Sequence, residues 1–446
     1  MKIAKRIVSL LILFAASTSS HATFDNAIEH YEAGAYKQAF MEFQALAEIG
    51  HKGAQFNLGV MYLEGTGVQA DPVKAYAWIK LADKQAQKEH EFLNEIHQQL
   101  NEEQRKEAEF YFNSLDKSFS EEVLKLALEP IYKPIEKSNK VNKSSGMKPV
   151  RQKPPSYPRE AAYQGVEGWV ITSFYLNEEG FPSDISVIES FPGDVFVKNS
   201  LKAIEKWQFE VPENYDRDEQ YKYKLQYQLA GGATYKNALN DLKQKAEKGD
   251  AKSQYLYAKF SADMLPEDDI NPTIWYYKAA EQGIANAQFE LANNLLEGEG
   301  CEEDKEKAIA WLIKSASGNL GRSHFKLAKL FLQLEDKERA YFWLDKAINA
   351  NDPVIAFELA KFIDELGSEQ YQLGVIRQVL EKAETNTKVS PIRFYEYFAD
   401  VAARMGDYDS AAKYQFKANM SLKRIANVPE EMRTRLDEYQ ALRDKK

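Results

Sequence analysis

One cysteine, Cys301, and six histidines are all the soft metal-binding chemistry in 446 residues. A lone cysteine excludes an internal disulfide and a cysteine-rich zinc site. The histidines are scattered. His90 and His97 stand seven apart on one predicted helix, with Glu91 and Glu95 nearby, but two turns (~10 Å) is too far to share one ion. His324 falls inside a repeat helix and reads as a packing or surface residue. Positive charge is also short: 58 Lys and Arg against 68 Asp and Glu leave −10 and a pI near 5.4. That balance excludes general nucleic-acid binding, which needs a basic footprint. Beyond the N-terminus no run is long and apolar enough to span a bilayer. Nucleophile elbows, His-Glu-x-x-His, phosphate loops and dinucleotide fingerprints are all missing, and carboxylates are too evenly spread to single out an acid/base pair. The expectation is a protein that is not an enzyme and uses no cofactor or metal.

Apolar residues make up 44%, so the chain buries ordinary cores, and its length implies two or three of them. Lys2, Lys5 and Arg6 precede an apolar run from Ile7 to Ala16, followed by a small, polar stretch ending Ser20-His21-Ala22. That is the three-part order of a secretory signal. Residues 1–22 are therefore read as a signal peptide, with a mature start at Thr23, a periplasmic location and no membrane span after cleavage. Loss of those three cations would take the charge from −10 to about −13.

A spaced pattern recurs: Ala54-x-Phe56-x-Leu58-Gly59, Ser253-x-Tyr255-x-Tyr257-Ala258, Ala287-x-Phe289-x-Leu291-Ala292, Ser323-x-Phe325-x-Leu327-Ala328, and more weakly Ile355-x-Phe357-x-Leu359-Ala360. The later copies step by 34, 36 and 32 residues, and tryptophans at Trp78, Trp275, Trp311 and Trp343 mark a second apolar stretch. Ala54, Leu58, Met61 and Tyr62 share one helical face, Gly65 and Gly67 (Gly298 and Gly300 in a later copy) make a turn, and Ala75, Trp78 and Ala82 line the returning helix. Such a hairpin cannot bury its own apolar face, so copies must stack. These residues resemble the Sel-one-like repeat, a relative of the tetratricopeptide repeat. The copy at Ser323 lacks the Gly-x-Gly turn and is closer to a plain tetratricopeptide hairpin. Residues 23–128 and 231–446 are read as two such arrays, with the charged stretch from Lys80 to about Leu115 forming one long helix or two. Between them, residues 129–153 have the Pro, Ser, Asn and Lys content of a basic linker.

From Tyr157 to Leu229 the period changes to two. Trp169 to Leu176 reads as a strand, Asn177-Glu178-Glu179-Gly180 as a turn, Ile185 to Ile188 as a short strand and Val195 to Trp207 as a helix. Tyr221, Tyr223, Leu225, Tyr227 and Leu229 alternate with polar residues, as in a half-buried antiparallel strand. Pro155-x-Tyr157-Pro158, Gly165-x-Glu167-Gly168, Gly180, Ser190-x-Pro192-x-x-x-Phe196 and Leu201-x-x-Ile204-x-x-Trp207-x-Phe209 together make residues 154–230 resemble the TonB C-terminal domain. The expected fold is an α-helical repeat solenoid of stacked hairpins with an inserted small α+β domain carrying a three-stranded antiparallel sheet.

The resemblance implies capture of an outer-membrane receptor segment at a strand edge. Carried over, the partner-binding residues are Tyr157 and Pro158 with the last strand: Gln220, Tyr221, Lys222, Tyr223, Lys224, Leu225, Gln226, Tyr227 and Gln228. For Tyr157-Pro158, fixing the entry of the chain is the competing role. The functional expectation is a periplasmic protein-interaction adaptor whose partners are proteins, a TonB-dependent outer-membrane receptor or other envelope proteins, and not nucleic acid. The alternatives are a TonB-type transducer held by an uncleaved N-terminus, and a regulator or catalyst acting on the cell wall, helped by the basic linker.

Overall fold

A computed structural model describes residues 21–86, 91–134, 149–211, 221–229, 234–264, 270–350, 352, 355–384, 391–423 and 428–445. The signal reading up to Ser20, His90 and the core of the linker lie outside them. In chain order the elements are α1 (His21–Glu32), α2 (Tyr36–Glu48), α3 (Lys52–Glu64), α4 (Pro72–Ala86), α5 (Glu91–Gln99), α6 (Glu102–Phe119) and α7 (Glu121–Ala127). Then come β1 (Pro149–Arg151), α8 (Arg159–Tyr163), β2 (Gly168–Leu176), β3 (Pro182–Phe191), α9 (Val197–Ile204), β4 (Gln208–Phe209) and β5 (Tyr221–Tyr227). The remainder is helical: α10 (Thr234–Glu247), α11 (Ala251–Met264), α12 (Pro272–Glu281), α13 (Ala285–Glu297), α14 (Lys305–Ser317), α15 (Gly321–Gln333), α16 (Lys337–Asn349), α17 (Ala356–Leu366), α18 (Leu373–Ala383), α19 (Pro391–Arg404), α20 (Tyr408–Lys423) and α21 (Glu430–Arg443). These divide into two compact units, each assembled from two separated stretches: 1–136 with 242–350, and 137–241 with 351–446.

In the first unit the repeat residues do what their spacing requires. α3 packs on α4, α11 on α12, α13 on α14 and α15 on α16. Ala54, Leu58, Ala75 and Trp78 are buried, as are their counterparts Ala287, Leu291, Ala308 and Trp311. In three of the copies a glutamine bonds the preceding helix eight residues back: Gln55 Nε2 to Ala47 O at 3.2 Å, Gln254 to Ala246 at 3.1 Å and Gln288 to Ala280 at 3.0 Å. An aspartate three residues before the Lys-Ala or Arg-Ala pair caps three of the returning helices, where Asp71 accepts from Lys74 N, Asp304 from Lys307 N and Asp336 from Arg339 N, and Asn271 caps α12 by accepting from Thr273 N. In the Gly-x-Gly turn the first glycine closes the helix in the left-handed region (Gly65 φ +70°, Gly298 φ +67°). The second permits close approach: a Cβ at Gly67 would lie 2.3 Å from Tyr36 O, and one at Gly300 would lie 2.4 Å from Asn271 Oδ1. Where the Ser323 copy lacks this pair, Glu335 takes the positive φ (+61°).

The early and late stretches of this unit form one body. α14 packs on α1 and α2, and α16 packs on α2. Trp311 Nε1 donates to Leu128 O at 3.0 Å and Lys307 Nζ to Glu129 O at 2.9 Å. Tyr132 then bridges Cys301, so the first residues of the stretch read as linker run along the repeat that follows α12. Within the stretch from Lys80 to about Leu115, read as one long helix or two, α5 ends at Gln99 and α6 begins at Glu102. Asn101 starts α6 with a reciprocal capping box to Gln104, which ends any continuous helix there.

In the second unit a three-stranded antiparallel sheet has the order β3-β2-β5, and a separate two-stranded sheet pairs β1 with β4. β3 runs the full length of β2, longer than the four residues expected from the sequence, because Trp169 pairs as far as Phe191. Its core joins Val170, Phe174, Phe196, Ile204, Trp207, Phe209, Tyr221, Leu225 and Tyr227. β2 is buried on both faces (Trp169 1% exposed, Phe174 0%). Trp169 stacks on Phe191, and the Arg393 guanidinium of α19 lies 3.8 Å from the Tyr175 ring centre. Among the helices, Arg404 ties α19 to α17 through both Asp364 oxygens at 2.7 Å.

Candidate functional site

β5 is held from one side and one face. It pairs antiparallel with β2, Gly168 opposite Tyr227 and Phe174 opposite Tyr221. Tyr221, Leu225 and Tyr227 are buried in the core, and Tyr223 packs half-buried against it. Tyr227 is tied most firmly. Its ring stacks on Phe196 at 4.2 Å, its hydroxyl lies 2.9 Å from Ser200 Oγ, and burial raises its pKa. The Tyr223 ring meets Trp207 edge-on at 5.0 Å, its hydroxyl accepts from Gln152 Nε2, and its carbonyl accepts from Thr172 Oγ1 at 3.2 Å. Opposite this face Lys222 and Gln226 are exposed, Gln228 beyond the strand is exposed, and the Lys224 ammonium sits 5.4 Å from the Trp169 ring centre. Gln220 lies outside the described residues.

Tyr157 reaches the same end of β5 through its ring. It stands edge-on to Phe196 and to Tyr227, both at 5.6 Å, while its hydroxyl donates to Val166 O at 2.6 Å. Burial, then the charge of Glu167, raises its pKa. Pro158 precedes α8, and its carbonyl accepts from Ala162 N at 3.0 Å. Both residues are half-buried, and these contacts hold the entering chain against the end of the strand.

Other signature residues also act on the scaffold. A Cβ at Gly168 would lie 1.9 Å from Phe191 O, so only glycine lets β2 start there. Trp207 Nε1 donates to Lys153 O at 2.8 Å, anchoring the entering chain. Glu167 Oε1 accepts from Leu229 N at 2.6 Å and clamps the exit of β5. This clamp and the β1–β4 pair were not anticipated from the sequence. Glu167 stands in the quoted motif, but nothing local shows that its partner is more than sixty residues away.

Reactive groups elsewhere are muted. Cys301 is fully buried, and burial pushes its thiol up to about 11, leaving it protonated and a poor nucleophile. His324 is buried against Trp343 and held at about 4. Among the described residues no group of three or more His, Cys, Asp or Glu is placed to hold a metal ion, and no helix is long and apolar enough to cross a membrane.

The family model for the Gram-negative bacterial TonB protein C-terminal matches residues 153–229, and that for the Sel1 repeat matches residues 53–82, 251–284, 285–320 and 321–352. The chain carries a TonB C-terminal domain and Sel1 repeats. Both are interaction families. Protein TonB of Pseudomonas aeruginosa is 42% identical over 66 residues, covering 15% of this chain and 19% of that protein. Protein TonB of Yersinia enterocolitica is 31% identical over 71 residues, covering 16% and 28%. The chain thus spans less than a third of the curated relatives it matches. Among solved structures, a Sel1 repeat protein from Oxalobacter formigenes is 14% identical over 97% of this chain and 99% of its own, with a TM-score of 0.37. The Pseudomonas aeruginosa TonB C-terminal domain in solution is 33% identical over 20% and 90%, with a TM-score of 0.17.

Proposed function

We propose that this chain is a non-catalytic periplasmic adaptor of the cell envelope. In this reading the TonB C-terminal domain captures an extended segment of an outer-membrane receptor or another envelope protein along β5. The observation that carries it is the position of β5 at the end of the strand order β3-β2-β5, with alternate side chains locked into the core. An edge strand so anchored offers backbone groups for β-augmentation and a rigid row of outward side chains, Lys222 and Gln226 among them, for selectivity. The Sel1 repeats act as a stacked scaffold for a second protein partner.

The test is calorimetry of the full-length mature chain with a peptide from the periplasmic end of an outer-membrane receptor. Saturable binding is expected, weakened at least tenfold when alternate peptide amides are N-methylated. A Gln226→Cys variant is expected to cross-link to a cysteine-bearing peptide, since Cys301 is buried. No binding, or indifference to N-methylation, would remove the edge-capture role. The transducer alternative shares this domain with the two TonB relatives and differs at the N-terminus. An intact Met1 recovered from the inner-membrane fraction would favour it, and a start at Thr23 in the periplasmic fraction the adaptor.

A further inference from the structure

β5 runs antiparallel to β2, and two contacts fix which of its backbone groups turn towards that strand. Tyr223 O accepts from Thr172 Oγ1 at 3.2 Å, and Leu229 N donates to Glu167 Oε1 at 2.6 Å. Both odd-numbered residues therefore aim their backbone at the β2 side. In an antiparallel ladder the N–H and C=O of one residue point the same way, and the direction alternates from residue to residue. The N–H and C=O of Lys222, Lys224 and Gln226 accordingly point to the opposite edge. These even-numbered residues also carry the outward side chains, while Tyr221, Leu225 and Tyr227 are buried. The backbone groups and the outer-face side chains that an added strand would meet thus belong to one set of residues.

That set is positively charged. The run from Tyr221 to Leu229 holds two lysines and no acid, in a chain where Asp and Glu outnumber Lys and Arg by 68 to 58. Lys222 is exposed, and the Lys224 ammonium lies 5.4 Å from the Trp169 ring centre on the same face. On β2 the residues opposite them are Ser173 and Ile171, neither of them ionisable. Side chains directly opposite in an added strand stand ~5 Å apart at Cβ, close enough for their charges to interact. A second copy of β5 would crowd two more lysines onto this row, and like charges directly opposite are destabilising. Edge lysines so placed keep like strands from pairing and favour an acidic one.

We propose that β5 selects an extended segment with carboxylate side chains at two alternate positions, i and i+2, one opposite Lys222 and one opposite Lys224. The residue between them turns to the inner face, where the half-buried Tyr223 stands and an apolar side chain packs. The recognised pattern is acid, apolar, acid. The inference rests on the edge-capture reading and adds the side-chain chemistry of its partner.

The probe is the capped peptide acetyl-Thr-Val-Asp-Val-Asp-Val-Thr-amide, titrated by calorimetry into the full mature chain. Saturable binding is expected. The isomer acetyl-Thr-Val-Asp-Asp-Val-Val-Thr-amide has the same composition and charge but sends one carboxylate to each face. It should bind about threefold more weakly, and the version with both aspartates replaced by asparagine about tenfold more weakly, as one and then two cross-strand charge pairs are lost. In the double variant Lys222→Gln, Lys224→Gln the three peptides should bind alike; the comparison on the unaltered chain needs no variant to fold. Equal binding of the three by the unaltered chain, or an unchanged preference in the double variant, would overturn the proposal. The receptor peptide and its N-methylated form, titrated into the same samples, separate the two readings. Receptor-peptide binding that N-methylation weakens, with no preference among the three probes, sinks the acidic selectivity alone. Probe binding that is indifferent to N-methylation of alternate amides, or no saturation by any peptide at millimolar concentration, sinks edge capture and this proposal with it.

Discussion

His324 occupies the place that Gln55, Gln254 and Gln288 hold in other copies, and its ring bonds the corresponding carbonyl, Ala316 O. It is 3% exposed and held neutral by burial, with its pKa at about 4 against the ordinary 6.5. A folded-state value below the unfolded one means that the unfolded chain takes up the proton first. Stability is therefore full above about 6.5 and falls as pH drops towards about 4, by up to ~1.4 kcal/mol per unit. His324→Gln keeps the bond and removes the proton, so it should flatten this part of the profile. Urea midpoints at intervals from neutral pH to about 4.5 read the slope; an unchanged slope in the variant would show that other groups set it. The sequence placed His324 inside a repeat helix and left a packing and a surface role open. The acid penalty became visible only with the Trp343 stack and the burial around it.

At the scale of elements, Gly168 joins a family signature to sheet geometry. Its missing side chain admits Phe191 O, and β2 is the strand shared by β3 and β5. Gly168→Ala must push backbone against backbone, an overpacking cost of about 1–3 kcal/mol or more. It should lower the melting temperature and weaken receptor-peptide binding together, because distortion of β2 passes directly to β5; unchanged melting would show that the close approach relaxes freely. The hairpin repeats, the turn glycines and the alternation of β5 were legible because each is written in neighbouring residues. The full length of β3 was not, since its ends are decided by pairing to Trp169 and Leu176 rather than by its own polar sequence. Whether α5 and α6 are one helix or two was left open for a different reason: helix formers continue on both sides, and only the side-chain cap of Asn101 marks the stop.

At the scale of the molecule, the first unit is closed by residues some three hundred positions apart. Glu42 on α2 is 1% exposed and pairs with Lys346 on α16, while His30 Nδ1 lies 3.0 Å from its other oxygen. Removing one partner strands a buried charge, which costs about 3–5 kcal/mol. Glu42→Gln and Lys346→Met should each destabilise strongly, and the double variant should lose clearly less than their sum. Additive losses in denaturant unfolding would mean that the pair does not couple the two stretches. By itself the sequence determined the repeat hairpins, the change of period in the middle and the inward face of β5, because helix and strand periodicity, turn glycines and caps act within a few residues. Tertiary structure alone decided that Trp311 caps Leu128 and that Glu167 clamps Leu229. Those outcomes depend on which buried faces meet after distant stretches fold back, and hydrogen-bond partners separated by so much chain leave no local trace.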